Sequence, residues 1–214
     1  QNFGLVTQIS DSEVTPPFYT SSISDKNGNL LFFTNGIKVW NSKFREFSIK
    51  DQKWPWLDKI DEVTPLICQY PGNDSLYYIF GISRGKNSAF KNNLIAITID
   101  SRSNAGLGAI RYPDPLNDTN YYTLLNRDCN FYLAGTLHCN QKDTWLTTIS
   151  GNTVLNYLVS AAGILPMPGT TLPFTAQDFD NDQAYSNIKF SANGEKLVIP
   201  VVSRNKILVY DFNT

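Results

Sequence analysis

A 214-residue chain with formal net charge −1 and 17% charged residues is long enough to bury roughly 70% of its unfolded surface in an ordinary core, so no metal or disulfide staple is required. Its eighteen Lys and Arg are scattered singly or in pairs. They lack the clustered positive charge that a phosphate backbone demands, which excludes nucleic acid as a partner. One histidine and three cysteines without a CxxC pair are too few for a structural zinc site.

Thirteen Phe, eleven Tyr and four Trp favour strands over long helices. The chain opens at Gln1 without an initiator Met, a basic-then-apolar leader or eighteen consecutive apolar residues. It reads as a mature or excised piece of something longer, with no transmembrane segment in this piece.

The first unit, about 18–41, carries two Asn-Gly turns, Asn27-Gly28 and Asn35-Gly36, the strongest short-range hairpin signal. Between them Leu30-Leu31-Phe32-Phe33-Thr34 is apolar almost throughout, as expected of a strand covered on both faces. Residues 42–63 form a polar stretch holding Lys53-Trp54-Pro55-Trp56-Leu57.

The second unit, about 64–100, runs from Thr64-Pro65-Leu66 through the turn Pro71-Gly72-Asn73-Asp74 into Leu76–Ile82, then across an inserted loop into Leu94–Asp100. Inside that loop, Arg84 and Lys86 with Lys91 beyond them read as a solvated surface rather than an anion site. The third unit, about 131–159, holds strands around Gly135–Cys139, Thr144–Ile149 and Thr153–Val159. A Gly/Pro-punctuated passage, Gly163 to Pro173, and the acidic run Asp178 to Asp182 lead to the fourth unit, about 184–214. There Pro200 interrupts a strand and should mark a bulge or an unpaired backbone position.

Strand-turn-strand-turn-strand thus recurs four times, with turn positions Gly28, Gly72, Lys142 and Gly194 spaced near the roughly 40–50 residues of one propeller blade, apart from one wider gap. The expected fold is all-β: a single domain over 1–214 forming a β-propeller of WD-repeat-like four-stranded blades. About four to five blades are expected, in a partial or truncated ring. A β-sandwich is the competing architecture, but it does not need the same order to repeat.

The phrase Ser22-Ile23-Ser24-Asp25-Lys26-Asn27-Gly28-Asn29-Leu30-Leu31-Phe32-Phe33-Thr34-Asn35-Gly36, followed by Val39-Trp40, resembles the opening of propeller-like N-terminal regions in large secreted Bacteroidetes proteins. These are the gliding-motility-associated or type IX secretion sorting-domain surface proteins. Pro71-Gly72-Asn73 before Leu76-Tyr77-Tyr78-Ile79-Phe80, the stretch Leu137-His138-Cys139-Asn140 to Trp145, and Lys189-Phe190-Ser191-Ala192-Asn193-Gly194-Glu195-Lys196-Leu197 extend the resemblance. It implies an extracellular or cell-surface module in a multidomain chain, brings no catalytic residue with it, and is least informative at 42–63 and 83–92.

Chemistry-bearing residues are few. His138 is the only histidine, so any Ser-His-Asp or Cys-His mechanism must pass through it. As neighbours in a strand, His138 and Cys139 would point to opposite faces, so a structural histidine is expected. Cys129 and Cys139 can either pair across a hairpin-like excursion or remain free thiols.

Asp178, Asp180 and Asp182 alternate as in a calcium loop, but Gln183 and Lys189 stand where an EF-hand needs Gly and Glu. Only a looser oxygen-ligand site remains open there. Neither a metal nor any other cofactor is expected.

Trp54 and Trp56 on their Pro-bearing turn are the binding candidates, presenting large apolar area to a sugar ring or protein partner; the plain alternative is that they plug the core. Asn73-Asp74-Ser75 and Asn117-Asp118-Thr119 match glycosylation sequons.

The functional expectation is a non-enzymatic interaction module binding protein or glycan through loops. The alternatives are a carbohydrate-active enzyme using paired carboxylates and a scaffold packing against other domains of the same chain.

Overall fold

The computed structural model describes residues 20–48, 64–83, 92–113, 121–179 and 187–213. They form fifteen strands in four antiparallel sheets. Sheet A is β1 (Ser21–Ser24), β2 (Leu30–Thr34) and β3 (Val39–Asn41). Sheet B starts with β4 (Leu66–Gln69), β5 (Leu76–Ser83) and β6 (Asn92–Asp100). Its outer position is shared by β7 (Ala109–Arg111), which pairs with the last residues of β6, and β8 (Thr123–Cys129), which pairs with its first half.

Sheet C is the meander β9 (Leu133–Leu137), β10 (Thr144–Ser150), β11 (Thr153–Ser160) and β12 (Gly163–Thr171). Sheet D is β13 (Lys189–Phe190), β14 (Lys196–Val201) and β15 (Lys206–Asp211).

The sheets pack face to face in chain order, and the strand period of two shows how. In β5 all eight residues are buried. Tyr77 and Ile79 point into a cluster with Phe32, Val39 and Phe47 of the first unit. Tyr78, Phe80 and Ile82 point the other way, onto Leu133, Leu146, Tyr157 and Val159 of sheet C. Sheet C repeats the device, sending Ile149 and Val154 against Leu197, Ile199 and Val201 of sheet D. An uninterrupted apolar run is what a strand dry on both faces requires. β5 meets that requirement fully, whereas β2, the strand for which it was expected, meets it only in part: Phe33 turns away from sheet B and stacks on Trp40 at a centroid distance of 5.4 Å.

The first strands of the four sheets gather side by side, β1 beside β4, β4 beside β9 and β9 beside β13. Ser21 donates its hydroxyl to the Pro65 carbonyl across the first of these seams. At the next, Gly135 of β9 leaves only 2.6 Å between an ideal Cβ and Leu66 Cδ2.

Each first-to-second-strand turn uses one short polar side chain to hold its backbone. Asp25 Oδ1 accepts the amides of Asn27 and Asn29, Asn73 Oδ1 that of Ser75, Asn140 Oδ1 those of Lys142 and Asp143, and Asn193 Oδ1 that of Glu195. A left-handed residue completes each: Gly28, Gly72, Gln141 and Gly194. These are Asx turns, and they are the physical content of the repeated phrase.

One expectation needs correction. The passage from Gly163 is no irregular linker but the nine-residue strand β12. Tyr157 lies opposite Pro166, and a proline cannot donate into that pair, so its ring nitrogen faces the free edge, where a strand tolerates it. Units read as three strands gain outer members, β7 with β8 in sheet B and β12 in sheet C, while sheets A and D have three strands. Of the two forms expected at Pro200, the unpaired backbone position is the one found, and there is no bulge. β14 runs through it in unbroken register with β15, and β13 reaches only Leu197 and Val198, so the missing N–H falls at an unpaired position.

Candidate binding cleft

Where sheets A and B meet at their turn ends, a cleft of about 660 Å³ opens. The β1–β2 turn supplies Asp25, Lys26 and Asn27, the end of β4 supplies Gln69, the β4–β5 turn supplies Asp74, and Ser101 and Arg102 follow β6. Ile23, Leu31 and Tyr77 line its apolar part. Tyr77 belongs to the dry A/B cluster; burial, then the nearby Asp74 carboxylate, pushes its phenol above the usual range.

The acidic groups of the cleft are committed. Asp25 Oδ1 receives two backbone amides and Oδ2 receives the Asn29 side-chain amide at 2.9 Å; the Asn29 side chain first, then its backbone, holds this carboxyl below its ordinary range. Asp74 accepts Arg102 Nη2 on both oxygens, at 2.7 and 2.8 Å. A general acid needs a carboxyl raised toward neutrality by burial or a like charge. Here one carboxylate is held below its ordinary range by its amide donors and the other is paired with a guanidinium.

Two carboxylates are balanced by Lys26 and Arg102, and side-chain amides of Asn27 and Gln69 line the cleft with the hydroxyls of Ser24 and of Ser101, the latter donating to the Ser75 carbonyl at 3.0 Å. Sequence reading passed over this cleft because its residues lie on turns of two successive units. The one available signal was the clustering of Asp, Asn and Arg around those turns.

Trp54, Trp56, Asp180 and Asp182 fall outside the described residues, as does Asn117. Asn73 lies in the exposed β4–β5 turn.

Asp178 is 7% exposed and closes a clip between sheet C and the β14–β15 connection. Oδ1 accepts Arg204 Nε at 2.6 Å and Ser203 Oγ at 3.2 Å. Oδ2 accepts the Thr175 amide at 3.0 Å, its hydroxyl at 2.9 Å and Arg204 Nη2 at 3.3 Å. Five donors occupy both oxygens, so a cation would have to displace the guanidinium. Among the described residues no cluster of three His, Cys, Asp or Glu is arranged to hold a metal ion.

Arg204 foremost, with Thr175 and Ser203, holds the Asp178 carboxyl below its usual range. A lowered folded value means that the stabilisation is complete above the unfolded value of about 3.9 and is lost as pH falls below it. Asp178→Asn should therefore lower Tm at pH 7. The gap to the parent should close as the melts, followed by circular dichroism, are taken from pH 5 down to pH 2.

His138 and Cys139 correct the strand-alternation argument. They sit just past β9, at its turn into β10, where alternation no longer applies, and Cys139 Sγ lies 3.5 Å from His138 Nδ1. The same nitrogen accepts the Asn140 amide at 3.1 Å, and the ring stacks on Trp145 at 5.7 Å. With its acceptor nitrogen held by a turn amide, the imidazole is a packing element.

All three cysteines are free thiols. Burial pushes the Cys68 thiol up to about 12 and also raises that of Cys129, whereas Cys139 is exposed. Since the thiolate is the reacting species, a disulfide reagent at pH 8 should modify Cys139 rapidly and reach the other two only in denaturant. Mass spectrometry of the labelled peptides checks this.

Among the described residues no helix is long and apolar enough to cross a membrane. In comparisons with protein-family models, curated proteins and solved structures, nothing matches the chain.

Proposed function

We propose that the chain is an arc of a β-propeller acting as a non-enzymatic interaction module, with the cleft between sheets A and B as its binding site for a neutral glycan. The serial stack of antiparallel sheets, with first strands gathered along one line, supports the propeller reading, because radiating blades meet along their innermost strands. The observation that carries the binding reading is the commitment of Asp25 and Asp74 to structural partners in a cleft that keeps its amides, hydroxyls and balanced charge. Loop ends on a rigid scaffold are where such modules place specificity. Placement outside the cell, on an exported surface protein of the gliding-motility-associated kind, rests on the sequence resemblance.

The test is a titration of the 15N-labelled chain with a panel of neutral oligosaccharides. Perturbations should centre on Asn27, Gln69 and Arg102, and Arg102→Ala should weaken binding by on the order of tenfold, about 1.4 kcal/mol. A panel that leaves these resonances unmoved sinks the glycan reading. Turnover of any glycan in the panel would instead favour the carbohydrate-active enzyme.

A further inference from the structure

Among the described residues sheet D is one strand narrower than the sheet beneath it. Trp145 of sheet C, which faces Phe212 of the fourth unit at 5.6 Å, lies in register with Leu158, and Leu158 with Leu165 of β12. Ala134, part of the C/D cluster, lies in register with Thr147, Asn156 and Met167 in the same way. Directly paired residues share a face, so Leu165 and Met167 point toward the side that sheet D covers. Yet they are 41% and 37% exposed. With β13 seated beside β9, the three strands of sheet D end before β12, leaving these two side chains as a bare apolar shelf.

Among the described residues the edge above that shelf is open. Phe212 donates its amide to Glu195, and Pro200, lying opposite Ile207, has no N–H to give. The alternation of an antiparallel ladder then directs the main-chain N–H and C=O of Ile207, Val209 and Asp211 away from β14. Among the described residues no strand pairs with that edge. Ile207 and Val209 are themselves 68% and 63% exposed. The neighbouring edge, β12, carries Pro166 and Pro168, which remove the donors a further strand would need. In sheets B and C the position beside the third strand is already filled.

We propose that the free edge of β15 is a strand-addition site, taking one extended peptide segment of a partner protein, aliphatic at alternate positions, as the fourth strand of sheet D. Main-chain pairing with Ile207, Val209 and Asp211 supplies the ladder, and every second side chain of the peptide lands on Leu165 and Met167. A second copy joined β15 to β15 does not fit, because its own β12 would project into the space occupied by this one. The slot is one strand wide. This site is separate from the A/B cleft, and neither depends on the other.

The probe is a soluble nonapeptide alternating Thr and Val with a terminal Lys, titrated against the 15N-labelled chain. Binding should shift the amides of Ile207, Val209 and Asp211 and slow their hydrogen exchange at least tenfold. Val209→Pro, which removes an outward donor as Pro166 does in β12, should abolish binding with little change in Tm, and Met167→Lys should weaken it about tenfold.

Amides of Ile207, Val209 and Asp211 that already exchange as slowly as that of Leu208 would overturn the proposal, since the edge would then be covered. So would no binding at millimolar peptide, or binding that both variants leave unchanged. Concentration-dependent dimerisation in sedimentation, lost in Val209→Pro, would overturn it in favour of self-association.

Discussion

Leu146→Ala is expected to lower the folding free energy by about 2–5 kcal/mol, among the largest effects of any single truncation in the chain. Leu146 is fully buried in β10, the second strand of sheet C. It faces sheet B in the cluster that holds Tyr78, Phe80, Leu94 and Ala96. The cost has two parts, the lost transfer free energy of the removed atoms and the cavity left where two pleated faces interlock. Neither sheet can close that gap alone, because each is also wedged against another neighbour. Chemical denaturation with Leu165→Ala as the partner variant checks the claim. The same truncation on the exposed shelf of β12 should cost less than about 1 kcal/mol, and equal losses at the two sites would contradict the stacking of sheet C on sheet B.

Gly135→Val should destabilise by about 1–3 kcal/mol through overpacking. At Gly135 an added Cβ would stand 2.6 Å from Leu66 Cδ2 and 3.1 Å from the Trp145 carbonyl oxygen. The leucine can rotate away, but the carbonyl belongs to β10 and cannot move without breaking the β9–β10 ladder. The seam between β4 and β9 exists only if the first strands of successive sheets are neighbours, so this glycine reports on that arrangement. Gly135→Val combined with Leu66→Ala should recover part of the loss, because the smaller side chain at position 66 makes room for the valine. If the double variant is no more stable than the two single losses added together, the two residues do not meet.

The turns were the most legible part of the fold. Asp25, Asn140 and Asn193 each declare an Asx turn that contains a left-handed residue, Asn73 declares one directly after the left-handed Gly72, and that local chemistry needs no tertiary context. The unbroken apolar run Leu76–Ile82 was legible for a similar reason, since only a strand covered on both sides can keep Tyr77 and Tyr78 both out of water.

What escaped reading depended on partners distant in the chain. β12 looked like a linker because Pro166 and Pro168 are unfavourable in a strand unless it lies at an edge, and edge position is decided by the rest of the sheet. β7 and β8 share one position because β6 is long enough to pair with both, which neither short segment reveals. The contact between His138 and Cys139 was missed because the strand was extended two residues too far. The A/B cleft joins side chains from Ile23 to Arg102, and nothing in either local pattern says that the two turns stand side by side.

The serial order of the sheets is tested most directly by methyl and aromatic nuclear Overhauser contacts in a selectively labelled sample. Val39 should be linked with Ile97, Leu94 with Leu146, and Ile149 with Ile199, following the three successive clusters. Cross-peaks from sheet A core residues such as Val39 to sheet D residues such as Ile199, with none from either to the faces of sheets B and C, would describe two facing layers and contradict the stack.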